Sequence, residues 1–349
     1  MKQFLFAATI ILSAIICQPS FAQTASGYHL AKTFHIASDG KWDYLSVGPN
    51  NNRLYVSHGT QVNVLNETTG DSVGVIPNTI GVHGIAFDAA LNKGYTSNGK
   101  INTVTVFALT TNKVLKQIAN GENPDYISFE KFTQKIITSN GKSKSLSVID
   151  PVTDSVIASI PLGGKPETWV SDEAGKIYVN LEDKSEIVEV DIQHNKVLNH
   201  WSIAPGEAPT GLAIDVKTNR LFIGSDENKW LIVMDATNGK VVNKQPIGVG
   251  CDGVAFDAER KLIFVPTGDD GMFTIVKEKS ADQYKVVDHF LLKTHARTIA
   301  IDESTHRLFL PTANFESVKD TKVKPAMISG SFQVLVVESG VSCIERSKK

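Results

Sequence analysis

One line of this chain recurs seven times. In "GVHGIAFDAALNKGYTSNG", residues 81 to 99, apolar and polar residues alternate, the chain turns at Asn92, and the alternation resumes. That is the pattern of two half-buried strands joined by a hairpin. The residue opening the second strand of each unit is Tyr55, Tyr95, Ile137, Tyr178, Phe222, Phe264 and Phe309, at spacings of 40, 42, 41, 44, 42 and 45. A period in this range is the length of a propeller blade of four strands. Seven residues earlier stand Gly48, Asp88, Glu130, Asp215, Asp257 and Asp302, with Asp172 one residue closer to its partner. The loops between, such as "PNNNR", "AALNK" and "VKTNR", carry residues that tolerate tight turns.

Each unit continues into β-branched segments with a period of two, such as "TVTVFALTTNKVLKQI" and "SLSVIDPVTDSVIASIP", which read as third and fourth strands. The seventh unit has only "FQVLVV" before the chain ends. Its missing outer strand is expected from "YHLAKTFHI", residues 28 to 36, which precedes the first repeat and has no other partner. Closing a ring with strands from both termini removes an open sheet edge. The expectation is an all-β protein, a seven-bladed β-propeller forming one domain over residues 23–349.

Residues 1–22 read as a secretory signal peptide: Lys2, an apolar run from Phe4 to Cys17, and a small-residue site ending at Ala22. Ile16 before Cys17 is unlike a lipid-anchor site, which favours a small residue there. A periplasmic or secreted location follows, with no membrane insertion and a monomeric chain expected. Of the 35 basic residues only Lys2 lies in the leader, against 37 acidic residues. The remainder is mildly acidic and carries no general attraction for nucleic acid or anionic lipid. Cys251 and Cys343 are expected as free thiols, because they enter from opposite faces of the ring.

The segments "YVSHG" at 55, "YTSNG" at 95, "ITSNG" at 137 and "YVNLE" at 178, each followed by a "VxV" strand, resemble the YVTN-repeat propellers, specifically their secreted YncE-type branch. The resemblance spans most of the chain and weakens in the closing units, which read "FVPTG" and "FLPTA". It implies the propeller fold and a binding scaffold, and single-stranded DNA binding as described for some members. Nucleic acid as a partner rests on this resemblance alone.

In a propeller the loops entering the first strands converge at one mouth of the central channel. Counting back five from the acidic position gives Asp43, His83, Asp125, Glu167, Thr210, Asp252 and Arg297. This column has no apolar member, although positions two and four places along are nearly all apolar. It is either a ligand-facing ring or a solvated rim in which Arg297 neutralises Asp252 and Asp43. A second column at the end of the second strands is His58, Asn98, Asn140, Leu181, Ser225, Thr267 and Thr312. Its asparagines are read either as backbone partners or as part of the same polar cup. Trp42 and His295 lie beside the first column, with Lys41 and Lys165 nearby.

Blades stack about 10 Å apart, so column side chains share an ion only where their loops bend inward. No metal or other cofactor is expected, with Asp252 beside Asp269 and Asp270 the nearest alternative. No G-x-S-x-G, H-E-x-x-H, phosphate loop or C-x-x-C motif occurs, and no catalytic residue is assigned. His194, His200 and His306 read as surface residues. An insertion at residues 313–331, with Lys319, Lys322 and Lys324, lies on the cup face as either a lid or a loose loop. The leading expectation is an exported scaffold binding a small polar ligand, a cell-envelope glycan or a protein partner. The alternatives are a lactonase- or lyase-type enzyme using His83 or His295 beside Asp43 or Glu167, and single-stranded DNA binding.

Overall fold

A computed structural model describes residues 26–49, 52–317 and 325–340. The leader, Cys343, Lys319, Lys322 and Lys324 lie outside the described residues. The described residues form seven four-stranded antiparallel sheets, and each of the first six blades is a run of consecutive strands. In the seventh the order is Tyr28–His35, Gln333–Ser339, Arg307–Thr312, Ala300–Asp302, so the N-terminal strand supplies the outer edge. Residues 28 to 35 therefore close the ring beside "QVLVV", as the repeat count requires.

The apolar residues form seven clusters, one at each boundary between neighbouring blades. Strand alternation explains this, since every sheet presents side chains to two neighbours and all but the outer strands are covered on both faces. The strand-opening residues Tyr55, Tyr95, Ile137, Tyr178, Phe222, Phe264 and Phe309 are all buried at these boundaries. The acidic column before each hairpin is structural. Asp88 accepts from Leu91 N, Glu130 from Phe132 N and Thr133 N, Asp215 from Lys217 N, and Asp302 from Ser304 N. These carboxylates satisfy turn amides that the hairpin leaves unpaired.

Two repeated bonds set the channel mouth. The residue just past the second strand donates its amide to the carbonyl two places before the column. Gly59 to Lys41, Gly99 to Gly81, Gly141 to Asn123, Glu182 to Lys165, Asp226 to Ala208 and Gly268 to Gly250 span 2.6 to 3.1 Å. These bonds hold both loops of a blade on one face. The polar residue inside the repeat signature then reaches the next blade: Ser97 Oγ donates to Asp125 O, Ser139 Oγ to Glu167 O at 2.6 Å, and Asn180 Nδ2 to Thr210 O at 2.9 Å. Among the described residues no helix is long and apolar enough to cross a membrane.

Candidate functional site

All seven members of the first column line one cavity of about 370 Å³ at the channel mouth, with Tyr44, Lys165, Glu182, Asp226, Gly250 and Asp269. Seven of these thirteen side chains are carboxylates and three are basic. The entrance loops bring the column together, and the signature residues pin its backbone. Asp43 is pinned at both ends: its N donates to Ser57 Oγ at 2.9 Å, while its O accepts from Thr298 Oγ1 at 2.7 Å.

The charges pair unevenly. His83 Nδ1 lies 2.6 Å from Asp43 Oδ2 and 3.6 Å from Asp125 Oδ1. Arg297 Nε donates to Asp252 Oδ2 at 2.6 Å. Lys165 contacts Glu167 at 2.7 Å and also Glu182. Asp226 and Asp269 have no ion pair among the described residues.

Burial opposes the charge on His83, but the bond to Asp43 and the charges of Asp125, Asp43 and Asp252 outweigh it and raise its pKa to about 9. Burial lifts the Asp125 carboxyl, His83 pulls it back, and Asp43 and Asp252 lift it again; the balance is upward. Glu167 is raised well above the carboxylate range by burial and by the charge of Asp125, against Lys165. Asp252 is likewise raised, by burial and by Asp43, against Arg297. Burial and the same carboxylates push the Tyr44 phenol well above its ordinary value. The crowding of like charge in a confined space favours anything positive that enters.

The second column is elsewhere. His58, Asn98 and Asn140 are buried inside their blades and do not line the cavity. His58 takes Ser38 Oγ at 2.8 Å and Gly40 O at 3.1 Å and stacks on Phe332 at 4.0 Å. Asn98 Nδ2 donates to Thr105 Oγ1 at 2.8 Å, and Asn140 Nδ2 to Ser147 Oγ at 2.9 Å. The cause is strand parity: these side chains point between sheets, so they serve as internal hydrogen-bond partners. His306 also departs from the surface reading, because its Nδ1 bonds Asp257 Oδ2 at 2.7 Å in a largely covered position.

Glu182 and Asp226, which the two columns miss, were legible in a third. The position just past the second strand reads Gly59, Gly99, Gly141, Glu182, Asp226, Gly268 and Ala313. Glycine is needed where this turn meets a neighbour: a Cβ on Gly99 would sit 2.7 Å from His83 Nε2. The two departures from a small residue place carboxylates in the cavity.

Trp42 and His295 line an adjoining chamber of about 730 Å³ with Phe315, Pro325 and Met327, and it shares Asp269 and Arg297 with the central cavity. The described base of the insertion is ordered over it. Phe315 pairs with Met327, Glu316 N donates to Ala326 O at 2.9 Å, and Phe315 lies 4.0 Å from His295 and 6.1 Å from Trp42. Asp39 ties the base down through Gly330 N at 2.9 Å and Ser329 Oγ at 3.0 Å.

Two metal readings change. Asp43, His83 and Asp125 come from three successive blades, yet their ligand atoms all lie within 4.8 Å of one another. The mean spacing of stacked sheets overstates the distance at the narrow inner edge, where side chains point toward the axis. Asp270 is instead committed to local donors, accepting from Thr267 Oγ1 at 2.7 Å and Met272 N at 3.1 Å in its own loop and from Val249 N at 2.9 Å in the entrance loop.

No family model matches the chain, and no curated protein matches it in sequence. In structure it is similar to a chain of Kuenenia stuttgartiensis Hydrazine Synthase, with a TM-score of 0.68 and 13% identity over 76% of this chain and 91% of that one. At that identity the likeness bears on architecture alone. Its own strand order and this likeness together make the chain a seven-bladed β-propeller.

Proposed function

We propose that this chain is an exported, non-enzymatic propeller that binds a small polar ligand carrying positive charge, such as an amine or amino sugar, in the central cavity. The observation that carries this reading is the lining: seven carboxylates against three basic groups around about 370 Å³. That volume is at the lower end of small-molecule sites, about 300 to 1,000 Å³. A glycan or protein partner would therefore engage it through one residue rather than along a chain. Export rests on the leader sequence at residues 1–22.

The geometry supports binding over acid-base catalysis. His83 is the natural base, but its pKa near 9 keeps it protonated at neutral pH. Single-stranded DNA would bring a polyanion to an acidic mouth whose nearest tryptophan, Trp42, is packed against Phe332 at 5.3 Å and Phe315, the reverse of a basic groove with open stacking faces.

Calorimetric titration of the purified chain with spermidine, glucosamine oligomers, neutral oligosaccharides and oligothymidylate tests this. The cationic probes should bind saturably with one-to-one stoichiometry and weaken as salt is added. Tighter binding of a neutral or anionic probe would overturn the proposal.

A further inference from the structure

The wall of the cavity formed by the first three blades has chemistry of its own. His83 offers a ring nitrogen, and Asp43 and Asp125 each offer a carboxylate oxygen, from equivalent positions of successive repeats. Asp125 is 8% exposed, and its Oδ1 is buried with no hydrogen-bond partner among the described residues. That oxygen faces His83 Nδ1 at 3.6 Å, beyond hydrogen-bond reach. A buried carboxylate oxygen without a donor is costly, and the His83 Nδ1 that faces it is directed to Asp43 at 2.6 Å instead.

We propose that Asp43, His83 and Asp125 bind one first-row divalent metal ion of the zinc type, with its remaining coordination position open to the cavity. Three protein ligands with one open position is the arrangement of accessible zinc sites. Imidazole suits zinc and its neighbours, whereas calcium and magnesium prefer oxygen alone. A tetrahedral site with bonds near 2.0 Å needs donor atoms about 3.3 Å apart. The 3.6 Å between His83 Nδ1 and Asp125 Oδ1 is close to this. The 2.6 Å contact between His83 and Asp43 opens as the entering ion displaces the Nδ1 proton to solvent, leaving a neutral imidazole that keeps its Nε2 proton.

The surroundings hold these donors in place. The His83 ring is wedged beside Gly99, whose missing Cβ makes room for Nε2 and leaves Nδ1 turned to the acids. Asp125 O and Asp43 O are both held by hydroxyls of neighbouring blades, Ser97 and Thr298. Supporting bonds of this kind orient ligands at metal centres. Uptake of the ion alone is independent of whether the cavity binds an organic cation.

The test is equilibrium dialysis of the chelator-stripped full chain against Zn²⁺, and against Co²⁺ with its visible absorption recorded. Wild type should take up one equivalent and, with Co²⁺, give the absorption of a four-coordinate nitrogen and oxygen site. Asp125→Asn and His83→Gln, each checked for a cooperative melt, should each weaken uptake at least tenfold and abolish that band. His194→Gln combined with His200→Gln removes the exposed histidines beside Asp191 and Glu186 and should leave uptake unchanged. No saturable uptake by wild type overturns the proposal, as does uptake lost with the surface histidines or retained in folded Asp125→Asn and His83→Gln.

Discussion

Ser139 Oγ donates to the carbonyl oxygen of Glu167 at 2.6 Å, across the boundary between the third and fourth blades. The signature residue of one repeat thus fixes the cavity residue of the next, and Ser97 and Asn180 do the same for Asp125 and Thr210. Replacing Ser139 with alanine leaves a buried carbonyl without its donor, at a cost of about 1 to 3 kcal/mol. The urea midpoint of Ser139→Ala should fall accordingly. An unchanged midpoint would show that this bond contributes nothing to the blade boundary.

The fold was legible because period and parity both act locally. The spacing of Tyr55, Tyr95 and their counterparts counts the blades, and the unpaired seventh unit demands a strand from residues 28 to 36. The first column was legible for the same reason: a polar residue recurring between apolar ones has to leave the core. The second column misled because His58, Asn98 and Asn140 are polar yet buried, and sequence does not distinguish a polar residue facing water from one satisfied inside a sheet. Distances between neighbouring column side chains were not legible, so the sequence could state only the condition for sharing an ion, loops bent inward, and not that Asp43, His83 and Asp125 meet it.

His58 should behave as a structural residue. Its loss strands Ser38 and Gly40 and removes the ring stacked on Phe332. His58→Ala is expected to destabilise the chain by about 2 to 4 kcal/mol, with affinity for a cavity ligand within twofold of wild type. Calorimetry and thermal melts on the same sample check this, and a selective loss of affinity would return His58 to the site.

Glu67 gives the pH dependence a definite sign. Burial, then the hydrogen bond and charge of Asp302, raise its pKa to about 7, against Arg307. A carboxyl whose folded pKa exceeds its unfolded value holds its proton more tightly in the native state. Its contribution is fully present below about 4.5 and is lost as pH rises through about 7. Glu67→Gln should therefore gain melting temperature relative to wild type between pH 4.5 and 7, with the difference level above pH 8. Parallel melting curves across this range would contradict the assignment.

Cys251 is a free, buried thiol, and a Cβ on Gly224 would lie 2.3 Å from its sulfur. Burial raises its pKa far above the usual thiol value, which keeps it out of the reactive thiolate form. Thiol-reactive dyes should leave Cys251 unmodified in the native protein and label it fully in denaturant. Peptide mapping of rapid native labelling at Cys251 would contradict this environment.

The cavity itself is tested most directly at Asp226, whose pKa is raised by burial and by the charges of Asp269 and Glu182. An unpaired carboxylate kept among others to attract a cation weakens the fold of the empty protein. Asp226→Asn should therefore lower spermidine affinity at least fivefold while its melting temperature, measured without ligand, holds or rises. Unchanged affinity, or affinity that falls only in step with a lower melting temperature, would contradict a cavity built to bind positive charge.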